Sequence, residues 1–123
     1  MSAERKTIAV VDDDEAVLDA TSCFLEALGY DARAFSSGEA FLASGAEDEV
    51  CCLLTDVNMP GLTGLDLRDR VRRSRPALPI IMMTALTDDA VRRRAFAGGA
   101  RGLLRKPLAA DDLIQCLEDM IGP

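Results

Sequence analysis

The chain has 123 residues, 21 of them acidic and 14 basic, for a net charge of −7, with four cysteines and no histidine. That length fits one domain, 1–123, burying roughly two thirds of the surface of the unfolded chain, and a second domain is not expected. The charge argues against direct nucleic-acid binding by this domain, nothing approaches the ~20 apolar residues of a membrane span, and residues 1–6 lack a signal peptide's apolar core, so a cytoplasmic protein is expected.

Apolar runs alternate with helical patterns from end to end, without repeats, low complexity or a linker. The first strand is predicted at about 7–11, where Ile8-Ala9-Val10-Val11 leads into Asp12 and Asp13. A helix follows over about 15–28, because Val17, Leu18, Thr21, Phe24, Leu25 and Leu28 recur at three- and four-residue intervals and Gly29 supplies a left-handed cap. A strand at about 31–35 and a helix at about 37–44 come next. The third strand, about 51–55, runs through Cys51-Cys52-Leu53-Leu54 to Asp56, and Gly61 and Gly64 bracket the loop into a helix at about 63–73. The fourth, about 79–83, runs through Ile80-Ile81-Met82-Met83 to Thr84, before a helix at about 88–97 ended by Gly98-Gly99. The fifth, about 101–104, brings Leu103-Leu104 to Lys106, and the last helix, about 110–121, carries Leu113, Ile114, Leu117, Met120 and Ile121 on one face.

Strand and helix in regular alternation imply an α/β fold with a parallel sheet covered by helices on both faces. Five such units favour the flavodoxin-like strand order 2-1-3-4-5, a (βα)5 domain in which strands one and three are neighbours. Ligands bind outside the carboxyl ends of such strands, and there the order gathers Asp12, Asp13, Asp56, Thr84 and Lys106. Three carboxylates, a hydroxyl and an ammonium on one edge form a site for a divalent cation and a phosphoryl group. The run Asp12 to Glu15 taken alone is also what a capped helix start looks like, and Asp56 tips the reading toward a site.

Charge is uneven along the chain. Through Pro60 there are 13 acidic and 3 basic residues, and beyond it 8 acidic and 11 basic. The arginines at 68, 70, 72, 73 and 75, and at 92 to 94, are expected on solvated helix faces. Cys23, Cys51, Cys52 and Cys116 lack C-x-x-C spacing and are expected to be buried thiols rather than metal ligands.

Val10-Val11-Asp12-Asp13, Thr55-Asp56-Val57-Asn58-Met59-Pro60-Gly61, Met83-Thr84-Ala85 and Leu104-Arg105-Lys106-Pro107 together resemble the receiver domain of bacterial two-component response regulators. The likeness covers nearly the whole chain and, within this CheY-like superfamily, is greatest to FixJ-type receivers. It implies that Asp56 accepts a phosphoryl group from a sensor histidine kinase in a magnesium-dependent reaction, with manganese able to substitute. It further implies Asp13, Asp56 and the backbone carbonyl of Asn58 as direct metal ligands and Asp12 as a ligand through water. Thr84 and Lys106 complete the chemistry, and Ala85 leaves space for the phosphoryl group. Asn58 and Leu86 flank the path of the hydrolytic water, and the Lys106-Pro107 bond is expected to be cis.

The family implies a helix-turn-helix output domain or partner, control of transcription, and weak dimerisation on phosphorylation through helix four, strand five and helix five. One departure stands out. Where many receivers carry an aromatic switch residue that moves with the threonine, this chain has Leu103.

Three other readings compete. A haloacid-dehalogenase-type phosphatase needs a second aspartate two residues after the nucleophile, where this chain has Asn58. A flavodoxin-like electron carrier needs a phosphate loop after strand one, where Asp12-Asp13-Asp14-Glu15 would repel the flavin phosphate. A receiver-fold interaction module working without phosphorylation has no need of five filled chemical positions.

Overall fold

The computed structural model describes residues 6–85, 89–97 and 99–121. Five strands, β1 (Thr7–Val11), β2 (Asp31–Phe35), β3 (Cys52–Asp56), β4 (Ile80–Thr84) and β5 (Gly102–Arg105), alternate with five helices. The helices are α1 (Glu15–Ala27), α2 (Gly38–Ser44), α3 (Gly64–Ser74), α4 (Asp89–Ala97) and α5 (Ala110–Ile121), with a short 3₁₀ turn at Ala46–Asp48. Every strand pairing is parallel and the order is β2-β1-β3-β4-β5, the expected flavodoxin-like arrangement. Strands three to five begin and end one residue later than the apolar runs suggest, because ladder pairing carries Asp56, Thr84 and Arg105 into the sheet.

Alternate strand residues feed two cores. Ile8, Val10, Cys52, Leu54, Ile81, Met83 and Leu104 pack with Leu18 and Leu25 of α1 and Leu113 and Leu117 of α5. Ala9, Val11, Leu53, Ile80 and Met82 face the other way, toward Phe41 of α2, Leu67 and Val71 of α3, and Ala95 of α4. β3 and β4 are buried along their whole length, as expected of strands covered on both faces. Truncating one of these side chains, Leu53→Ala for instance, removes about 2–5 kcal/mol through lost burial and the cavity left behind.

Local signals set the helix ends. Asp14 is the N-cap of α1, its Oδ1 accepting from the amides of Ala16 at 2.9 Å and Val17 at 3.4 Å. Thr63 caps α3 in a reciprocal box with Asp66. Gly29 and Gly99 take φ near +100°, the left-handed conformation in which a side chain is strained. Among the described residues no helix is long and apolar enough to cross a membrane.

Two sequence expectations fail. Cys23 is exposed on α1 rather than buried, while Cys51 and Cys116 are half-buried and Cys52 is fully enclosed. Arg68 is buried rather than solvated, held by α3 against α4. Burial pushes the Cys52 thiol far above its ordinary range, with the neighbouring thiols of Cys51 and Cys116 adding to it. A raised folded-state value favours the folded protein only while the unfolded thiol remains protonated, so Cys52 withdraws stability as pH climbs above about 8.5. Iodoacetamide at neutral pH should modify Cys23 first and leave Cys52 untouched until denaturant is added; peptide mass mapping of the alkylated protein checks the order.

Candidate functional site

β1 and β3 are neighbours, and their register pairs Val11 with Thr55, so Asp12 and Asp56 leave adjacent strands side by side. The Asp12 amide donates to Phe35 O at 3.1 Å, extending the β1–β2 ladder and pulling its carboxylate under the surface. Asp12 is 0% exposed and Asp56 7%, whereas Asp13 stands in solvent. Asp14 is consumed by capping α1 and Glu15 is its first residue, so the acidic run divides: two residues belong to the edge and two to the helix.

The opposite wall comes from β4 and β5. Thr84 ends β4, one residue past the Met83 that pairs with Asp56, and its carbonyl accepts from the Lys106 amide at 2.8 Å. The Lys106-Pro107 peptide bond is cis. Lys106 extends into the edge, with Nζ 2.6 Å from Asp12 Oδ2 and 3.1 Å from Asp56 Oδ2. Asp56 Oδ1 accepts from the Asn58 amide at 3.3 Å, and Asp12 Oδ1 from the Asp14 amide at 2.9 Å. Asn58 and Ala85 are exposed at the mouth, and Leu86 lies outside the described residues. Leu103 is half-buried and packs into the core that faces α3 and α4.

Electrostatics follow from this burial. Desolvation pushes the Asp56 carboxyl above the ordinary aspartate range; the hydrogen bond and charge of Lys106 pull against it, and Asp12 adds to the rise. Burial alone would lower the Lys106 ammonium, but Asp12 and Asp56 outweigh it and the group is raised, so it stays protonated.

Asp12, Asp13 and Asp56 each offer a carboxylate oxygen within 4.8 Å of the others. Asp12 Oδ2 is fully buried and accepts no hydrogen bond of good geometry, its contact being the Lys106 ammonium. Hard oxygen donors at this spacing, one short of a hydrogen bond, fit a small divalent cation.

Gly64 is a supporting residue that sequence reasoning passed over as a loop boundary. Its amide donates to Val57 O at 3.0 Å, and a Cβ there would strike the Asp56 carbonyl oxygen and lie 2.8 Å from the carbonyl carbon. The available signal was a glycine in the first turn of a helix already capped by Thr63, where most residues are better formers.

Residues 8–118 match the family model of the response regulator receiver domain. The chain belongs to that family. The response regulator TmoT of Ectopseudomonas mendocina is 33% identical over 114 residues, covering 93% of this chain and 52% of the relative. The transcriptional regulatory protein FixJ of Bradyrhizobium diazoefficiens is also 33% identical, over 93% of this chain and 56% of its own length. Among solved structures, a response regulator from Chloroflexus aurantiacus superposes with a TM-score of 0.90 at 31% identity, over 98% of this chain and 100% of that one. Vibrio cholerae CheY4, a chemotaxis protein, gives 0.89 at 28% identity, over 96% and 100%. This receiver domain spans about half the length of relatives such as TmoT.

Magnesium at ten times its Kd should stabilise the receiver domain by about 1.4 kcal/mol, and Asp13→Ala should abolish most of the effect; melting curves with and without the ion check it. Gly64→Ala should cost about 1–3 kcal/mol by pressing on the backbone of Asp56, readable as a lower urea midpoint.

Proposed function

We propose that Asp56 is the phosphoacceptor and that its partner is a phosphohistidine on a sensor histidine kinase. The observation that carries this reading is the state of the Asp56 carboxylate: shielded, one oxygen tied by the Asn58 amide and the other beside the Lys106 ammonium, on an edge that fits a divalent cation. Attack by a carboxylate oxygen forms the O–P bond as the N–P bond breaks, and the leaving imidazole keeps the electron pair and takes up a proton. Lys106 neutralises charge on the transferred group, the Thr84 hydroxyl donates a hydrogen bond to it, and Ala85 leaves it room. Asp13, Asp56 and the Asn58 carbonyl would hold magnesium directly, and Asp12 through water. Bound there, the cation supplies charge neutralisation at the phosphoryl oxygens. Asn58 and Leu86 govern how readily water reaches the aspartyl phosphate, with Leu86 offering no polar group to orient it.

Phosphorylation then biases a conformational equilibrium, to the extent that the group binds one state better than the other. Thr84 is the sensing residue and Leu103, without ring or hydroxyl, leaves a small gap between the states. The output is transcriptional, through an attached or partner helix-turn-helix domain. α4, β5 and α5 form the dimer face, where exposed Arg92, Arg93 and Arg101 can meet exposed Asp111, Asp112, Glu118 and Asp119 of a second copy.

Acetyl phosphate with magnesium should label the wild type and fail to label Asp56→Asn, while Lys106→Ala should accept label yet respond weakly; Phos-tag electrophoresis distinguishes them, and equal labelling of wild type and Asp56→Asn would refute the assignment. Beryllofluoride with magnesium should convert a largely monomeric domain into a weak dimer, and Arg93→Glu should weaken it. Sedimentation velocity reads both, and a monomer unchanged at high concentration would move activation to another surface.

A further inference from the structure

α3 carries arginines at 68, 70, 72 and 73, of which only Arg68 is buried. Its Nη1 donates to the carbonyl oxygens of Arg94 at 2.6 Å and Ala95 at 3.1 Å, both in the last turn of α4. Its Nε and Nη2 hold Asp69 Oδ1 at 3.0 and 2.9 Å, which balances the charge locally. One turn further along α3, Arg72 crowds Gly99, where a Cβ would come within 2.7 Å of the arginine Cδ. Two guanidinium-bearing side chains of α3 therefore meet the carboxyl end of α4 and Gly99 just beyond it.

The last carbonyls of a helix lack intrahelical donors and carry the negative end of its dipole, so a cation placed there gains twice. Ala95 O also accepts from the Ala100 amide at 3.2 Å, and Phe96 O from Gly99 at 3.0 Å. Ala95 is the only buried residue of α4, whereas Arg92, Arg93 and Phe96 lie exposed on its outer side. The apolar attachment of α4 thus consists of Ala95 and the half-buried Val91, and polar contacts at its last turn add to that hold. Burying a guanidinium is unfavourable unless its donors are met, so separating α4 from Arg68 at this turn would leave that charge without two of its acceptors.

We infer that Arg68 is a positioning residue that tethers the carboxyl-terminal turn of α4 to α3. With that end held, displacement of α4 is carried by its amino-terminal end, the end joined through the chain to Thr84. The tether itself does not depend on Asp56 accepting a phosphoryl group; its bearing on output rests on the proposed use of α4.

Hydrogen exchange of the free, full chain tests it by mass spectrometry, comparing wild type with Arg68→Leu, Arg68→Lys and the exposed control Arg70→Leu. Peptides spanning 94–101 should exchange about tenfold faster in Arg68→Leu, less so in Arg68→Lys, and at the wild-type rate in Arg70→Leu. Peptides over β1 and α1 should not change, and acetyl phosphate labelling of the folded Arg68→Leu protein should match the wild type. Unchanged exchange over 94–101 in Arg68→Leu, or an equal rise in every peptide, would overturn the inference. So would faster exchange of the same size in Arg70→Leu.

Discussion

The ammonium of Lys106, lodged between the buried carboxylates of Asp12 and Asp56, is the contact on which the site's organisation depends. Two carboxylates with oxygens within 4.8 Å of each other repel by roughly 3 kcal/mol or more at an effective dielectric of about 20. Parallel strands ending at one edge force that proximity, and a cation must answer it. Lys106, directly after β5, supplies one from within the chain, its position set by its amide bonded to Thr84 O. The same charge pattern that invites magnesium is therefore compensated within the folded protein itself, and the edge can stay buried.

The strand order and the edge residues were legible because both rest on short-range rules. An apolar run of four followed by an aspartate identifies a covered strand and its end, and five βα units leave few topologies open. The strand limits were displaced by one residue at Asp56, Thr84 and Arg105 because ladder pairing, which depends on the neighbouring strand, continues past the apolar run. Arg68 and Cys23 were misplaced for a related reason. Periodicity tells which residues share a face of a helix, but what lies opposite depends on how α1 and α3 meet their neighbours. The crowding of Gly64 against Asp56 is likewise a long-range contact that no pattern within α3 encodes.

At the α4 side this receiver domain combines an aliphatic residue at Leu103 with a buried arginine at Arg68. Leucine in the core fills space without directional bonds, so its packing does little to distinguish neighbouring positions of α4. Hydrogen bonds from a guanidinium to main-chain carbonyls are directional and lose strength within a fraction of an ångström. Positional definition of α4 here rests more on polar contacts at one end than on an inserted ring.

The strand order also converts the uneven charge of the sequence into a spatial one. β2, β1 and β3 are drawn from the acidic half of the chain, and β4 and β5 from the basic remainder, so the sheet runs from an acidic side toward an arginine-bearing flank at α3 and α4. The acidic residues of α5 moderate the basic flank without erasing the contrast. A molecule charged in this way is an electric dipole, and a charged partner approaching it feels a torque before any surfaces touch. Ionic strength should therefore act mainly on how often encounters begin in the right orientation, while short-range packing sets how long they last.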